Sequence, residues 1–454
     1  MSQNIAKSDT LKNDLELAQF ALQRLTSLGA EKADVLISAG SSMSVSCRLG
    51  ELEDVERSES RDIGLRAIFG KSQAFVSATG ASKEAIETLA ERAIAMAQNT
   101  PEDPFCDIVE AQDLATSWPD LDLFDTYEPN IDELREKALA TEAIALGFDG
   151  ITNSEGAGAA WGRGATILAT SNGFEGAYES SSFSLSCAVL AGADDAMERD
   201  YASHSVRHDE ALDSPETVGR KAAERTLARL NPRKVKSTKL PVIFDTRVSS
   251  SILGHLIGAI SGGSIARGTS FLRNDLGKTI MRDEIQIIDE PHRKRGLRSA
   301  AFDGEGMAME TLKLVEDGVL KTWILDSSTA KQLNLKSNGR AGRGIGSPPS
   351  PSATNLYMQA GTKTPEEMMK EIGTGLLVTE LIGMGVNGVT GDYSRGASGF
   401  WIENGELAYP VSEITIASNL REIFSHMHPA NDLTFRRGVN APSLLIEEMS
   451  LAGI

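Results

Sequence analysis

The chain has 454 residues and a formal net charge of -19, from 64 acidic and 45 basic side chains. This length exceeds that of one compact core, so two or three domains are expected. A strongly acidic surface repels phosphate backbones, which disfavours general nucleic-acid binding.

The sequence also predicts the compartment. The cysteines, Cys47, Cys106 and Cys187, lack metal-ligand spacing and indicate reduced thiols. The N-terminal segment 1–20 is polar and has no apolar core of the kind found in signal peptides, and no apolar run approaches membrane-spanning length. We therefore expect a cytoplasmic protein without a membrane segment.

The first half of the chain alternates helix and strand patterns. Amphipathic helices are predicted over 15–28, 83–98, 131–145 and 215–230. Alternating stretches predict strands over 33–37, 43–47, two within 63–77, and a pair at 165–170 and 181–190. The segment 100–130, rich in Pro and Asp, is expected to wrap the surface.

A polar, basic run at 231–236 marks the expected boundary between two lobes. We predict an α+β fold. Its N-terminal lobe, 1–235, would have antiparallel strands and flanking helices, with a repeated element order that fits subdomains of about 1–115 and 116–235. Its C-terminal lobe, 236–454, would be mainly β.

Two hairpins are predicted in the C-terminal lobe. Strand patterns at 312–316 and 319–325 flank Asp317-Gly318, and those at 400–403 and 406–409 flank Asn404-Gly405. Asp-Gly and Asn-Gly favour the tight type I′ turn. A short helix over 364–372 and a closing strand over 444–449 complete this lobe.

The helix predicted over 249–260 follows a strand at 240–244 and ends at Gly262-Gly263. A zinc peptidase helix carries two His one turn apart, with a Glu beside the first. Here His255 is followed by Leu256, and the residue one turn on is Ala259. One imidazole cannot hold a catalytic zinc, so no metal is predicted here.

Two other histidine pairs have spacings that occur in metal sites. His204 and His208 stand four apart, but their polar surroundings favour an exposed connection. His426 and His428 alternate as on a strand, without a third ligand nearby. Neither pair predicts a metal site.

Several further motifs have two interpretations. Ser328 and Lys331 have the spacing of a nucleophile and its base, but the companion motifs are absent, and a helix start capped by Asp326 or Ser327 fits better. The Gly-, Arg- and Pro-rich stretch 338–352 is either a mobile loop or a loop that closes over a partner or peptide. The basic run 292–298 is either a solvated loop or an anion site.

Several stretches together resemble one family. Phe302-Asp303-Gly304-Glu305-Gly306, the hairpin to 325, and the stretches 326–333 and 337–340 are similar to the TldD/PmbA family, also called modulators of DNA gyrase. Further similar stretches cover nearly the whole chain, at 64–66, 171–174, 254–259, 402–406, 409–411 and 431–433.

The resemblance implies a role without metal. The TldD branch carries a His-Glu-x-x-x-His zinc helix and a Cys ligand near the C-terminus, and the helix positions fall on Gly254, His255 and Ala259 here. The last cysteine is Cys187, so the chain resembles the PmbA or TldE branch. The family's implied activity is cytoplasmic, metal-dependent proteolysis of small or unfolded peptides by a TldD–TldE heterodimer. No catalytic residue and no cofactor is expected in this chain, and zinc is expected in the TldD-type partner.

The implied contribution of this chain is a set of substrate and partner contacts. An extended peptide would be held by main-chain pairing, near the turns at 317–318 and 404–405 or the loop 338–352. The candidate contact residues are Asn338, Arg340, Arg343, Ser394 and Arg395. On the helix 249–260, the small residues Gly254, Gly258 and Ala259 would allow a partner backbone to approach. The alternative is a non-catalytic, homodimeric binding or regulatory protein, whose sequence support is the basic run 293–298.

Overall fold

The structure is a computed structural model that describes residues 9–80 and 82–454. The first eight residues of the polar N-terminal segment 1–20, for which no signal peptide is expected, lie outside the described residues.

The N-terminal lobe repeats the order helix, three strands, helix. Its elements are α1 (Asp9–Ser27), β1 (Lys32–Arg48), β2 (Glu51–Phe69), β3 (Ser72–Thr79), α2 (Lys83–Asn99), α3 (Ile131–Leu146), β4 (Ile151–Thr170), β5 (Glu175–Ala191), β6 (Glu198–Val206) and α4 (Pro215–Ala228). The strands form one antiparallel sheet in the order β3-β2-β1-β4-β5-β6. Because β1 of the first repeat pairs with β4 of the second, the two repeats share a single sheet.

The strands are longer than the sequence pattern predicts. The stretches at 33–37 and 43–47 belong to one strand of 17 residues, and β4 extends over 20 residues. The unpredicted portions are rich in Gly, Ser and Ala, whose hydrophobicity does not alternate. They nevertheless pair closely, with Gly40 opposite Gly164.

Two pairs of helices pack on this sheet, and each pair covers one part of it. Apolar residues of α1 and α2 pack with β1, β2 and β3 in one cluster, and those of α3 and α4 pack with β4 and β5 in another. The connection 100–130 does not simply wrap the surface as expected, because its Cys106, Ile108, Leu121 and Leu123 are buried. Apolar side chains spaced among Pro and Asp hold it against both lobes, and Leu114 bridges to Met307.

The C-terminal lobe is mainly β, as predicted. Its elements are β7 (Thr238–Phe244), α5 (Thr246–Ile260), α6 (Gly262–Ala266), β8 (Ile287–Asp289), β9 (Leu312–Glu316), β10 (Val319–Leu320), α7 (Ser327–Gln332), β11 (Ala341–Gly342), β12 (Ser350–Pro351), β13 (Leu356–Met358), α8 (Pro365–Ile372), β14 (Gly375–Ile382), β15 (Asp392–Glu403), β16 (Glu406–Asn419), α9 (Leu420–Ser425), β17 (Met427–Pro429), β18 (Val439–Asn440) and β19 (Leu444–Ala452). The larger sheet has the order β16-β15-β14-β7-β19-β17, and the smaller has the order β10-β9-β8-β13-β18. The α+β class predicted for the chain is therefore confirmed.

Both predicted hairpins form with left-handed turn residues. Asp317 and Gly318 have φ of 49° and 72°, and Asn404 and Gly405 have 54° and 80°, as type I′ turns require. The second strand of the first hairpin ends at Leu320 rather than at 325. Both turns are covered by their own chain, since a Cβ at Gly318 would lie 2.3 Å from the Met281 carbonyl oxygen and one at Gly405 would lie 2.8 Å from Lys370 Cα.

Within residues 9–80 and 82–454, no helix combines the length and the apolar character that crossing a membrane requires.

Candidate functional site

Helix α5 is anchored at its start and along one face. Its N-cap, Asp245, accepts a hydrogen bond from the Arg247 amide at 2.8 Å, and Arg247 in turn pairs with Asp200 of the N-terminal lobe. The apolar face buries Ile252, Leu256 and Ile260 in the main core of the C-terminal lobe. The helix therefore serves as an internal support of the lobe on this side.

The opposite face of α5 is open, and we call it the open helix face, formed by Gly254 and Gly258. Both glycines are exposed, and a Cβ built on either would meet no atom within 4 Å. Ala259 does not belong to this face as expected, because it is 5% exposed and packs in the core. The reason is helical geometry: Gly254 and Gly258 stand four apart on one side, whereas Ala259 is turned about 100° from Gly258.

His255 lies beside the open helix face, where its side chain packs against an aromatic ring. Its imidazole meets the ring of Tyr393 on β15 edge to face, with centroids 5.7 Å apart. Its Nε2 is buried and has no hydrogen-bond partner among the described residues. Burial, and then the positive charge of Arg395, lower the pKa of His255, so the ring is neutral near pH 7.

Tyr393 and Arg395 complete this group, which we call the His255 cluster. Residues two apart on a strand point to the same face, so both reach towards α5 while Ser394 between them is exposed. The Tyr393 hydroxyl and Arg395 Nε are buried, and neither has a partner in the described structure. Burial raises the pKa of Tyr393, so its hydroxyl stays protonated. Three unsatisfied polar atoms therefore lie close together here, whereas most buried polar atoms in proteins have a partner.

An exposed apolar loop adjoins the His255 cluster. It connects β14 to β15, and Ile382, Met384 and Val389 on it are 60%, 87% and 56% exposed. Gly385 brings the loop against β15, where its carbonyl accepts the Ser394 amide hydrogen at 2.7 Å. Exposed apolar side chains grouped beside unsatisfied polar atoms are typical of a surface that another chain covers.

The His255 cluster does not fit a zinc ion. Zinc sites in proteins use imidazole, thiolate and carboxylate ligands, and this cluster offers one imidazole next to a cationic guanidinium. No group of three His, Cys, Asp or Glu suited to a metal occurs within residues 9–80 and 82–454. The groups of this cluster are therefore suited to polar and aromatic contacts.

The other histidines weighed as ligands serve within the chain. His204 lies on strand β6 rather than on a helix, and its Nδ1 accepts the Asp213 amide hydrogen. His208 lies against Asp122, beyond the end of that strand. His428 is on β17 between Glu284 and Glu447, while His426 ends α9.

The loop 338–352 lies away from the His255 cluster, between the two lobes. Asn338 accepts the Leu325 amide hydrogen, and Arg340 is 1% exposed and pairs with Asp289. The Arg343 side chain, 2% exposed, pairs with Asp34 of the N-terminal lobe. Asn338 and Arg340 are engaged within the chain, and Arg343 is engaged through one nitrogen, so a peptide contact at these residues remains a prediction.

The structure also shows the contacts of the basic run 292–298 and of the residues that begin helix α7. Arg293 lies over the Phe435 ring, and Arg295 pairs with Asp122 and Glu210, so both charges are engaged. Asp326, one of the two expected caps, accepts the Thr329 amide hydrogen at the start of α7.

Sequence reasoning missed two parts of this surface. Tyr393 was overlooked, although its spacing of two from Arg395 on a strand was a usable signal. Met384 and its neighbours lie in a Gly-rich stretch without periodicity, so no sequence pattern indicates an exposed apolar loop there.

Comparison with known proteins gives consistent matches along the chain. Residues 33–97, 124–230 and 237–453 match family models described as domain 1, the central domain and the C-terminal domain of PmbA/TldA metallopeptidases. The chain is 41% identical over 451 residues to metalloprotease PmbA of Escherichia coli O157:H7, covering 99% of this chain and 98% of that protein. It is 38% identical over 441 residues to a PmbA homologue of Haemophilus influenzae, covering 96% of each.

Solved structures share the fold over the whole length. A protein of Bacteroides thetaiotaomicron described as a modulator of DNA gyrase superposes with a TM-score of 0.91 at 28% identity, covering 99% of this chain and 100% of its own. TldE of Thermococcus kodakarensis superposes with a TM-score of 0.82, covering 96% of this chain and 99% of its own. At 21% identity, the second match shows the fold alone.

Proposed function

This chain belongs to the PmbA/TldD metallopeptidase family, and we propose that within it the chain is the TldE-type subunit that lacks zinc. In this proposal it forms a heterodimer with a TldD-type subunit, which supplies the metal and the general base. The heterodimer cleaves small or unfolded peptides, and this chain contributes part of the chamber in which they are held.

The observation that carries the proposal is the state of helix α5. The helix is packed, but the positions that by resemblance correspond to the His, Glu and His of the zinc motif hold Gly254, His255 and Ala259. Its outer side has room for a backbone at Gly254 and Gly258. A scaffold kept without its ligands is expected where a helix has an assembly role.

The surroundings of α5 support an interface at this place. The apolar side chains of Ile382, Met384 and Val389 would leave water on assembly, which stabilises a complex by about 25 cal/mol per Å² buried. The neighbouring unsatisfied polar atoms of Tyr393 and Arg395 would gain partners if docking rearranged the cluster. Each such atom costs about 1–3 kcal/mol while it stays unpaired.

The proposal is tested by assembly in solution. The chain is mixed with a TldD-type subunit and the mass of the complex is measured by light scattering after gel filtration. The expected result is a one-to-one complex that forms in preference to a dimer of this chain. A stable homodimer that does not bind the TldD-type subunit would contradict the proposal. It would favour the alternative of a homodimeric binding or regulatory protein.

Met384 offers a sharper version of this test. It is 87% exposed, so Met384→Asp should leave the chain folded and weaken the complex. A matched control is Met96→Asp, since Met96 is 43% exposed on α2, which packs against β2 and β3 at the opposite edge of the N-terminal sheet from β6. Equal loss in both variants would remove the apolar loop from the interface.

A further inference from the structure

A cavity of about 500 Å³ lies between the two lobes. One wall is the face of the N-terminal sheet, including Ser38 of β1 and Ser180 of β5, and the other is formed by the C-terminal lobe. Its volume lies within the range of small-molecule sites, about 300–1,000 Å³.

Arg207 lines this cavity without an acidic partner. Its guanidinium donates hydrogen bonds to the carbonyls of Ser181, Gly296 and Leu297, and no ion pair with a carboxylate forms in the described structure. Burial lowers the pKa of Arg207, which reflects the cost of holding this charge away from water. A buried charge without a counter-ion is unfavourable unless an anion joins it.

Arg343 adds a second incompletely satisfied guanidinium. Its side chain is 2% exposed, and both Nε and Nη1 are buried without a hydrogen-bond partner among the described residues. Its remaining nitrogen pairs with Asp34, which also binds Arg66 at 3.2 Å. One carboxylate therefore serves two guanidiniums.

Arg298 brings a third positive charge to the cavity. Its side chain is exposed at the rim and makes no hydrogen bond or ion pair within residues 9–80 and 82–454. A fourth arginine on the wall, Arg340, is balanced by Asp289.

The one acidic group in the described lining can offset only one of these charges. Asp303 is its only Asp or Glu among the described residues. The oxygens of Asp303 accept hydrogen bonds from the amides of Glu305, Met307 and Ala341. Its carboxylate is thus occupied by backbone donors, and the cavity keeps an excess of positive charge in a chain of net charge -19.

We propose that this cavity is a binding site for a small oxyanion, a molecule that carries a carboxylate or a phosphate group. Guanidinium groups present a planar fork that matches both. The hydroxyls of Ser38 and Ser180 supply further donors on the opposite wall. The site lies within one chain, so it does not depend on the proposed heterodimer.

The oxyanion has two possible sources, which calorimetric titration of the purified chain separates. The probes are inorganic phosphate, citrate, a tripeptide with a free C-terminal carboxylate and the same tripeptide as its C-terminal amide. Binding of the free tripeptide but not the amide identifies a peptide terminus. Binding of phosphate or citrate with neither tripeptide identifies a free anion. Wild-type chain that binds none of the four overturns the proposal.

Substitutions test whether the probe binds in this cavity. Arg298→Gln should weaken binding of the best probe at least tenfold while leaving the circular dichroism spectrum unchanged, because the side chain has no partner to lose. Arg343→Lys, which keeps the charge but removes the fork, should also weaken it. Arg295→Gln is the control, since Arg295 belongs to the same basic run but pairs with Asp122 and Glu210 outside the cavity. Binding that survives both Arg298→Gln and Arg343→Lys, or falls equally in Arg295→Gln, contradicts the assignment.

Discussion

The imidazole of His255 and the phenol of Tyr393 meet edge to face, with ring centroids 5.7 Å apart and planes at 80°. The contact ties helix α5 to strand β15. The same pair leaves Nε2 of His255 and the hydroxyl of Tyr393 buried without partners in the part of the chain that the structure describes. The aromatic contact is therefore made at a cost in hydrogen bonds.

The open helix face gives the first prediction. Gly258→Trp should leave the single chain folded, because a side chain there starts in open space, and should weaken the complex with a TldD-type subunit at least tenfold. The contrasting change is Gly262→Trp, where a Cβ would lie 2.5 Å from Thr329 Oγ1, so this variant should lose stability itself. Co-purification and thermal unfolding of both variants measure the two effects. Normal assembly of Gly258→Trp would show that this face is free in the complex.

Tyr393 gives the second prediction. Tyr393→Phe removes an unpaired buried hydroxyl, so the isolated chain should gain up to about 1 kcal/mol in the free energy of unfolding. Tyr178→Phe is the matched control, because the Tyr178 hydroxyl is hydrogen-bonded to Thr166 and its removal should cost about 1 kcal/mol. Urea titration distinguishes these signs. If both variants lost stability equally, Tyr393 would have a partner in solution.

Arg340 gives the third prediction. Arg340→Met leaves Asp289 buried without its counter-charge, and removing one member of a buried pair typically costs about 3–5 kcal/mol. Lys239→Met breaks the exposed pair with Glu448 and should cost less than about 1 kcal/mol. Chemical unfolding compares the two losses. A stable Arg340→Met chain with altered peptide binding would instead favour the peptide contact predicted from the sequence.

Glu305 gives the fourth prediction, on pH. Burial, and then the charge of Asp303, raise the pKa of Glu305 from the ordinary 4.5 to about 8. Between these values the folded chain keeps a proton that the unfolded chain releases, so stability falls as pH rises through this interval, by up to about 1.4 kcal/mol per unit. Glu305→Gln cannot ionise and should lose less stability between pH 5 and about 8.

The control for this prediction is the neighbouring carboxyl. Asp303→Asn turns an amide donor towards backbone N–H groups, since both carboxylate oxygens accept such bonds, and should destabilise the chain at every pH. Unfolding curves at several pH values separate the variants. Parallel pH dependence in wild type and Glu305→Gln would mean that Glu305 does not titrate in this range.

Local sequence patterns predicted the elements that local physics determines. The turn at Asn404-Gly405 forms because both residues tolerate positive φ, and the buried stripe of α5 follows the helical period. The full length of β4 could not be predicted, because its Gly- and Ala-rich centre is held by neighbouring strands rather than by its own side chains.

The site was predicted less completely than the fold. The prediction that His255 belongs to no zinc set rests on its spacing alone and stays a prediction. The ion pair of Arg340 with Asp289 joins residues that are 51 apart in sequence, and no local sequence pattern predicts such a contact. Ala259 was misplaced because small size does not reveal which side of a helix faces the core.

Peptide hydrolysis by the mixed subunits tests the central claim most directly. The rate of cleavage of an unfolded peptide is measured for this chain alone, for a zinc-loaded TldD-type subunit alone, and for an equimolar mixture of the two. We predict that this chain alone is inactive, that the mixture is active and sensitive to a zinc chelator, and that Gly258→Trp lowers the activity of the mixture. Chelator-sensitive hydrolysis by this chain alone, or a mixture no more active than the TldD-type subunit, would contradict the account.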